Sequence, residues 1–366
     1  LRFMSGEQKT VVVGMSGGVD SSVAALLLKQ AGYKVIGLFM KNWDETNPDG
    51  TCTATQDYQD VIKVCEKIDI PYYSIEFIKE YQERVFASFL EELKKGRTPN
   101  PDILCNKEIK FDVFFQKAIE LGADYLATGH YCQVAQDASG FHLAKGVDPN
   151  KDQSYFLYAV DRSCFSKVLF PIGHLPKPEV RRIAREFDIP TKEKKDSTGI
   201  CFIGERNFRK FLSDFIQYRE GDIVNLKGEK IGRHFGTAFY TIGQRKGLGL
   251  GGQGEPWFVL DKDVTNNRLI VERGTTHPGL FASELVANEL IWDGIELSEN
   301  LPYHCKAKIR YRQPDQECVI TKYENGKVYV HFSVPQRAVT PGQSIVFYKD
   351  EICLGGAFID EVCKKL

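Results

Sequence analysis

The feature that most constrains this chain is Gly14-Met15-Ser16-Gly17-Gly18-Val19-Asp20-Ser21-Ser22, set between two segments of different periodicity. Thr10-Val11-Val12-Val13 is β-branched and apolar, which predicts a buried strand. Val23 to Gln30 is rich in helix formers and is closed by Gly32. A strand, a Ser/Gly turn and a helix in that order make an anion cradle, because glycine admits close backbone approach and the first N–H groups of the helix point at the anion. The hydroxyls of Ser16, Ser21 and Ser22 add donors, and Asp20 can hold a magnesium ion or cap the helix. Spacing excludes two other phosphate loops, since neither GxxxxGK[ST] nor GxGxxG occurs. An ordinary capped Gly-Ser turn is the bland alternative, and the position directly after the first strand favours a nucleotide.

At 366 residues the chain exceeds a single core, so two or three domains are expected. A net charge of -1 gives no global case for nucleic acid, which must then rest on local patches. No apolar run approaches the roughly 20 residues of a membrane span, and the first residues lack a signal-peptide core, so a cytoplasmic protein is expected. Ten cysteines, none in a CxxC pair, read mainly as buried small hydrophobes in a reducing setting, with no metal site.

After the loop, strands are expected at Lys34–Met40, Tyr72–Ile75 and Tyr125–Thr128, with helices near Ala54–Ile68, Tyr81–Lys95 and Lys107–Leu121. This alternation argues a doubly wound parallel sheet, whose ligands sit at the carboxyl ends of the strands, where Met40 and Gly129-His130 fall. Gly96 to Lys107 contains Pro99 and Pro101, which predict an extended segment with a helix starting near Asn106. Cys105 would then stand at a helix N-terminus beside Lys107, two features that favour thiolate, and Asp102 could carry a proton. A buried cysteine and a capping aspartate explain the same residues equally well.

Cys132 to Lys145 reads as a hairpin, and Asp148 to Ser154 as a solvated loop. The helix expected over Pro176–Phe187 carries Arg181, Arg182 and Arg185, followed by Lys192, Lys194 and Lys195; this is the best local candidate for a phosphate-backbone contact, with a solvated face close behind. Cys201 follows a Ser-Thr-Gly turn, and the residues alone favour burial over a mobile thiol. Beyond about Glu205 the alternation stops. Short β segments are expected at Gly221–Val224 and Ala238–Ile242, then a loop, Gly243–Gly254, too rich in glycine to order itself without a partner or tight packing. From Leu285 onward, short strands separated by turns such as Glu324-Asn325-Gly326 indicate a small antiparallel barrel, and Arg310-Tyr311-Arg312 sets cations beside an aromatic ring.

SGGVDSS, GRTPNPDILCNKEIKF, ATGHY, KDQSYFL, DSTGICFIG, YTIGQRKGLG and a late RYR occur in one order along the chain. That series resembles the bacterial tRNA-specific 2-thiouridylases, members of the PP-loop ATP pyrophosphatase superfamily. The resemblance implies three domains: a catalytic domain over 1–204, a small β-rich central domain over 205–278 and a C-terminal barrel over 279–366. It implies ATP, with Mg²⁺, on Gly14, Met15, Ser16, Gly17, Gly18, Val19, Asp20 and Ser21, bordered by Met40 and Gly129. It implies the target base at Asn100, Pro101 and Asp102, and tRNA contacts at His130, Lys151, Asp152, Gln153, Arg310, Tyr311 and Gln343. In that pattern Cys201 carries a persulfide loaded by a donor protein, Cys105 resolves it through a transient disulfide, and Asp102 is the acid–base group. A monomer is expected.

Three other readings compete. An amidating PP-loop ligase would need neither an essential cysteine nor tRNA. A nucleotide sensor would bind ATP without turnover. A tRNA-binding protein with a vestigial loop would not keep Ser16, Asp20 and Ser21 intact.

Overall fold

The computed structural model describes residues 8–43, 53–196 and 208–363. They pack as two units. The first takes the described residues up to Phe86, those from Asp102 to 196, and Asp350–Cys353; the second takes Ala87–Pro101, the described residues from 208 to Lys349, and those from Leu354 on.

The first unit contains β1 (Thr10–Met15), β2 (Lys34–Lys41), β3 (Tyr72–Glu76), β4 (Tyr125–Thr128), the hairpin β5 (Cys132–Asp137) and β6 (Gly140–Lys145), and the short β7 (Val168–Leu169). Five of these form a sheet in the order β3-β2-β1-β4-β7, parallel at every pairing. Val11, Val12 and Val13 are all buried, as a strand covered on both faces must be. Helix α1 (Val19–Gln30) follows β1 and buries Val23, Ala24, Ala25, Leu26 and Leu28. It ends where Gly32 turns to φ +91° and the Tyr33 N–H reaches back to the Leu28 carbonyl at 3.2 Å, a glycine-dependent stop. Helix α2 (Thr53–Ile68) sets Val61, Val64, Cys65 and Ile68 into the same core.

The helix expected from Lys107 begins earlier. Pro101–Leu104 is already helical, Cys105–Val113 continues it as a π-helical stretch, and Phe114–Glu120 completes it. Proline suits the first helical position, because its fixed φ is already helical and a helix start does not use the missing N–H. Cys105 therefore sits a turn inside the helix, not at its N-terminus, and Lys107 is paired with Glu108 at 3.3 Å. Both arguments for a lowered thiol pKa fall away.

In the second unit, β8 (Gly221–Val224), β9 (Lys230–His234), β10 (Trp257–Asp263) and β11 (Arg268–Arg273) form a sheet in the order β10-β11-β8-β9. Ala238–Ile242 is not a strand: Thr237–Phe239 is a 3₁₀ turn. Gly236 and Gly243 bracket it at φ +137° and +80° and break any ladder, while Tyr240 and Ile242 turn inward. The glycine-rich loop is held by packing, with Leu248 buried and the Gly243 N–H on the Val259 carbonyl at 2.8 Å. Six further strands, β12 (Phe281–Trp292), β13 (Tyr303–Lys308), β14 (Gln316–Glu324), β15 (Lys327–Arg337), β16 (Ser344–Lys349) and β17 (Ile352–Cys363), run in the order β12-β15-β14-β13-β16-β17. Pairing of β12 with β17 closes them into a barrel. Asn325 and Gly326, at φ 52° and 75°, turn β14 into β15. Arg310-Tyr311-Arg312 lies in the turn after β13 rather than in a strand.

Ala87–Pro101 packs with the second unit although it falls inside the expected 1–204 interval. Its last residues form a strap. The Thr98 N–H bonds the Pro341 carbonyl at 3.0 Å, Gln343 Nε2 donates to the Thr98 carbonyl at 2.5 Å, and Arg97 is paired with Asp360. Among the described residues no helix is long and apolar enough to cross a membrane.

Candidate active site

β1 extends through Met15, so Gly14 and Met15 are strand residues and the loop proper is Ser16-Gly17-Gly18. Gly17 sits at φ +74°, and a Cβ there would lie 2.6 Å from the Asp57 carbonyl oxygen, so no other residue fits. Ser16 and Ser21 share a hydroxyl contact of 3.2 Å, and Ser16 Oγ accepts the Gly18 N–H at 3.3 Å. Ser22 is spent on the fold instead, donating to the Gly18 carbonyl at 2.7 Å and lying 3.1 Å from Thr191 Oγ1. Gly18 caps α1 without any side-chain hydrogen bond, which leaves the first N–H groups of the helix for a ligand to satisfy.

Gly129 follows β4 and closes over that helix start: a Cβ on it would stand 2.7 Å from the Ser21 nitrogen. The loop and Gly129 thus flank the crevice between β1 and β4, where the strand order reverses, the usual ligand position of an open parallel sheet. Met40 lies at the carboxyl end of β2, and the nearby Asn42 is buried with its Oδ1 lacking a partner. Uncapped amides, two hydroxyls and an orphaned acceptor fit a nucleotide with a phosphate tail. Gly129→Ala is expected to weaken ATP binding by at least about tenfold by pushing the backbone at the start of α1, and to cost about 1–3 kcal/mol of stability, because the added Cβ meets backbone atoms that cannot turn aside; isothermal titration and thermal melting check the two halves.

Asp20 neither caps α1 nor faces the crevice as a bare carboxylate. Lys177 Nζ reaches Asp20 Oδ1 at 2.7 Å and Oδ2 at 2.8 Å, and the Tyr131 hydroxyl donates to Oδ1 at 2.7 Å. Burial, and after it the Asp20 charge, drives the Tyr131 phenol pKa far up, so it stays a donor. The same ammonium bridges to Asp196 at 2.8 Å, and Asp196 also takes Lys151 at 2.6 Å and Arg181 at 2.9 Å. Burial works to raise the Asp196 carboxyl, but Lys151 and Lys177 hold it at about 2. Asp196 is five positions before Cys201, which lies outside the described residues. Sequence reasoning missed Lys177, Tyr131 and Asp196 as a unit. Tyr131 and Asp196 stand inside ATGHY and DSTGICFIG, whereas Lys177 carries no signal beyond its place at a Pro-flanked helix start.

The helix begun at Pro101 carries Asp102 and Cys105 at one end and packs Phe114 under the phosphate loop, 3.4 Å from the Cβ position of Gly14. Cys105 is buried. Burial raises the Asp102 carboxyl, only partly offset by Lys110. His130 lies against Phe111 and Phe170, with ring centroids 5.9 and 6.2 Å away, and contacts Thr128 Oγ1 through Nδ1 at 2.7 Å. Burial, with Lys110 adding to it, lowers its pKa well below the usual value, so it is a neutral group at neutral pH.

The segment read as a solvated loop is anchored inward. Asp152 is buried and accepts the Gly146 and Ser154 N–H groups at 3.1 Å each; Asp148 accepts the Lys177 N–H at 2.9 Å. Gln153 Oε1 accepts the Tyr131 N–H at 2.9 Å. The basic cluster is largely paired: Arg182 with Glu179 and Glu186, Arg185 with Glu193, Lys192 with Asp188, and Lys194 with Asp57 and Asp60, while Lys195 stays exposed. The first unit thus gathers the phosphate loop, Met40, Asp102, Cys105, Gly129, His130, Lys151, Asp152 and Gln153. Asn100 and Pro101 end the strap of the second unit, Gln343 holds that strap through the Thr98 carbonyl, and Arg310 and Tyr311 occupy the turn after β13.

Domain-family models cover almost the whole chain: a "tRNA methyl transferase HUP domain" over residues 9–205, a "tRNA methyl transferase PRC-barrel domain" over 209–273 and an "Aminomethyltransferase beta-barrel domain" over 282–359. A protein of Protochlamydia amoebophila named tRNA-specific 2-thiouridylase MnmA is 58% identical over 97% of this chain and 94% of its own length. Proteins of the same name from Halalkalibacterium halodurans and Staphylococcus carnosus are each 55% identical, over 98% and 99% of this chain and 96% and 98% of their own lengths. The chain belongs to the tRNA-specific 2-thiouridylase family. The three models follow in series the three sheets of this chain: the parallel sheet, then the small four-stranded sheet, then the closed barrel.

Proposed function

We propose that this 2-thiouridylase family member replaces the C2 oxygen of the wobble uridine of tRNA by sulfur, at the expense of ATP. One observation carries the reading: a single helix run holds Asp102 and Cys105 at its start and packs Phe114 against Gly14, at the end of β1 that leads into the phosphate loop. Methyl transfer, which two model descriptions name, requires no triphosphate cradle. An uracil oxygen leaves poorly, so the base is first made an adenylate: its C2 oxygen attacks the α-phosphorus and pyrophosphate departs. Mg²⁺ bound with ATP would supply charge neutralisation of the phosphates. The α1 amides and the Ser16 and Ser21 hydroxyls hold the departing phosphates.

Sulfur arrives as the outer atom of a persulfide on Cys201, loaded by a donor protein, and attacks C2. The Cys105 thiolate then attacks the Cys201 sulfur; the bond between the two persulfide sulfurs breaks, the base keeps the outer sulfur, AMP leaves with the oxygen, and a Cys105–Cys201 disulfide remains for an external thiol to reduce. Asp102, raised by burial, exchanges the proton of the base. The base reaches this chemistry unstacked, recognised by Asn100, Pro101 and Asp102.

Two outcomes test the reading. AMP and thiouridine should form in equal amounts, and only with tRNA present; AMP formed without tRNA, or thiouridine without AMP, contradicts it. Asp102→Asn should cut thiolation at least about tenfold while raising the melting temperature at pH 7. A carboxyl whose folded pKa lies above its unfolded one destabilises the fold progressively as pH rises from the unfolded to the folded value, the cost being complete above the latter, and the amide removes that cost. The stability gain should vanish near pH 3, where both states hold the proton; calorimetry at both pH values decides.

A further inference from the structure

Lys262 is a lysine whose surroundings leave it short of an anion. It stands near the end of β10, half-buried, and its ammonium has one hydrogen bond, a long one of 3.5 Å to Thr98 Oγ1 in the strap. No carboxylate lies within ion-pair distance of it among the described residues. Burial lowers its pKa to about 8, with the neighbouring Asp261 pulling the other way. On the paired strand β11 the adjacent charge is another cation, Arg268, opposite Asp263, and the carboxylates and the arginine nearest along β10 and the strap are engaged. Asp261 accepts the Lys262 backbone N–H at 2.9 Å, Asp263 caps Asn266 at 3.0 and 2.8 Å, and Arg97 on the strap is paired with Glu92 and Asp360. Pro341-Gly342-Gln343, on the opposite side of the strap, brings no charge.

The strap is fixed in place at this point. Gly96, at φ +77°, lies so close to Val264 that a Cβ would come 2.3 Å from its Cγ2, and Gly342, at φ +90°, would meet the Thr98 nitrogen at 2.9 Å. Thr98 is two residues before Asn100. Two residues span at most about 7 Å, the distance between neighbouring phosphates along an RNA strand, so an anion at Lys262 and a base at Asn100 can belong to adjacent nucleotides.

We propose that Lys262 binds a backbone phosphate of the RNA next to the target uridine, and so sets which nucleotide the Thr98–Asn100 strap receives. The proposal deepens the tRNA reading and rests on it. A desolvated ammonium without a counter-charge is costly alone and recovers that cost when a phosphate supplies two or three short charge-assisted bonds. The ligand chemistry is a phosphodiester, and the binding proton-linked: docking raises the lysine pKa, so a proton is taken up near pH 8 as tRNA binds.

The test measures tRNA affinity of the full-length enzyme by filter binding from pH 7.0 to 8.8 and across salt, for wild type, Lys262→Met and Lys262→Arg. Wild-type affinity should fall several-fold over that pH range. Lys262→Met should bind about tenfold more weakly at pH 7, lose that pH dependence, and show a log–log salt slope smaller by roughly 0.9. Lys262→Arg, charged throughout, should bind with no pH dependence. Melting of Lys262→Met should be unchanged or raised, which a purely structural lysine would not give. If Lys262→Met binds within twofold of wild type with the same pH course, or changes only the KM for ATP, the proposal is overturned while the tRNA reading stands. If wild type itself does not bind tRNA, both fall together.

Discussion

Replacing either Cys105 or Cys201 by alanine is expected to lower tRNA thiolation by at least about a thousandfold, with ATP affinity within twofold of wild type. The magnitude follows from the chemistry. Without Cys201 there is no carrier for the sulfur, and without Cys105 the disulfide link between carrier and base has no internal thiolate to cleave it. Folding should survive the Cys105 change. The residue is buried inside a helical run that extends from Pro101 to Glu120, alanine is the strongest helix former, and loss of one sulfur atom in a packed site costs on the order of 1 kcal/mol. Single-turnover assays with radiolabelled ATP separate the steps: pyrophosphate should still be released in the Cys201→Ala variant while AMP and thiouridine are not. Thiolation at wild-type rates in either variant would remove the cysteine relay from the account.

Lys177→Met is expected to reduce kcat/KM for ATP by roughly a hundredfold, about 2–3 kcal/mol, the lower range for breaking a largely buried ion pair. The ammonium is shared between Asp20 and Asp196. Its removal leaves the Asp20 carboxylate with only the Tyr131 hydroxyl, an under-compensated negative charge at the rim of a cradle built for phosphate. Asp196 keeps Lys151 and Arg181, so damage should concentrate on the nucleotide side. Lys151→Met is the matched control: it thins the charge around Asp196 without touching Asp20, and ATP affinity should stay within about threefold. Equal loss of ATP affinity in both variants would mean the network acts only as a structural clamp.

These residues also mark where sequence stops being informative. β1, the phosphate loop and α1 are legible because their signals are local: a β-branched run, glycines where the backbone must approach closely, and a Schellman stop at Gly32. The meeting of Asp20 with Lys177 is not legible, because 157 positions separate them and no periodicity links them. The helix start at Pro101 was ambiguous for a different reason. Proline fixes the same φ in an extended segment and at the first position of a helix, and only the packing of Phe114 against Gly14 and Phe111 against His130 selects the helix. Arg181, Arg182 and Arg185 read almost equally as a phosphate surface or a solvated face, and the structure favours the latter, since Glu179 and Glu186 stand at helical i−3 and i+4 spacing from Arg182 and pair with it. Asp148 and Asp152 look like solvated loop residues in sequence, yet both carboxylates organise buried backbone N–H groups. Gln343, expected at the RNA, ties the strap to the barrel through the Thr98 carbonyl.

The most direct measurement is thiolation of unmodified tRNA by the full-length protein with ATP, Mg²⁺ and a persulfide donor, resolved on a mercury-containing gel. The account predicts a retarded tRNA band that requires ATP, disappears when the non-hydrolysable α,β-methylene analogue replaces ATP, and maps to the wobble uridine. ATP cleavage to AMP and pyrophosphate with no retarded band from any donor would contradict it, and would favour an amidating ligase.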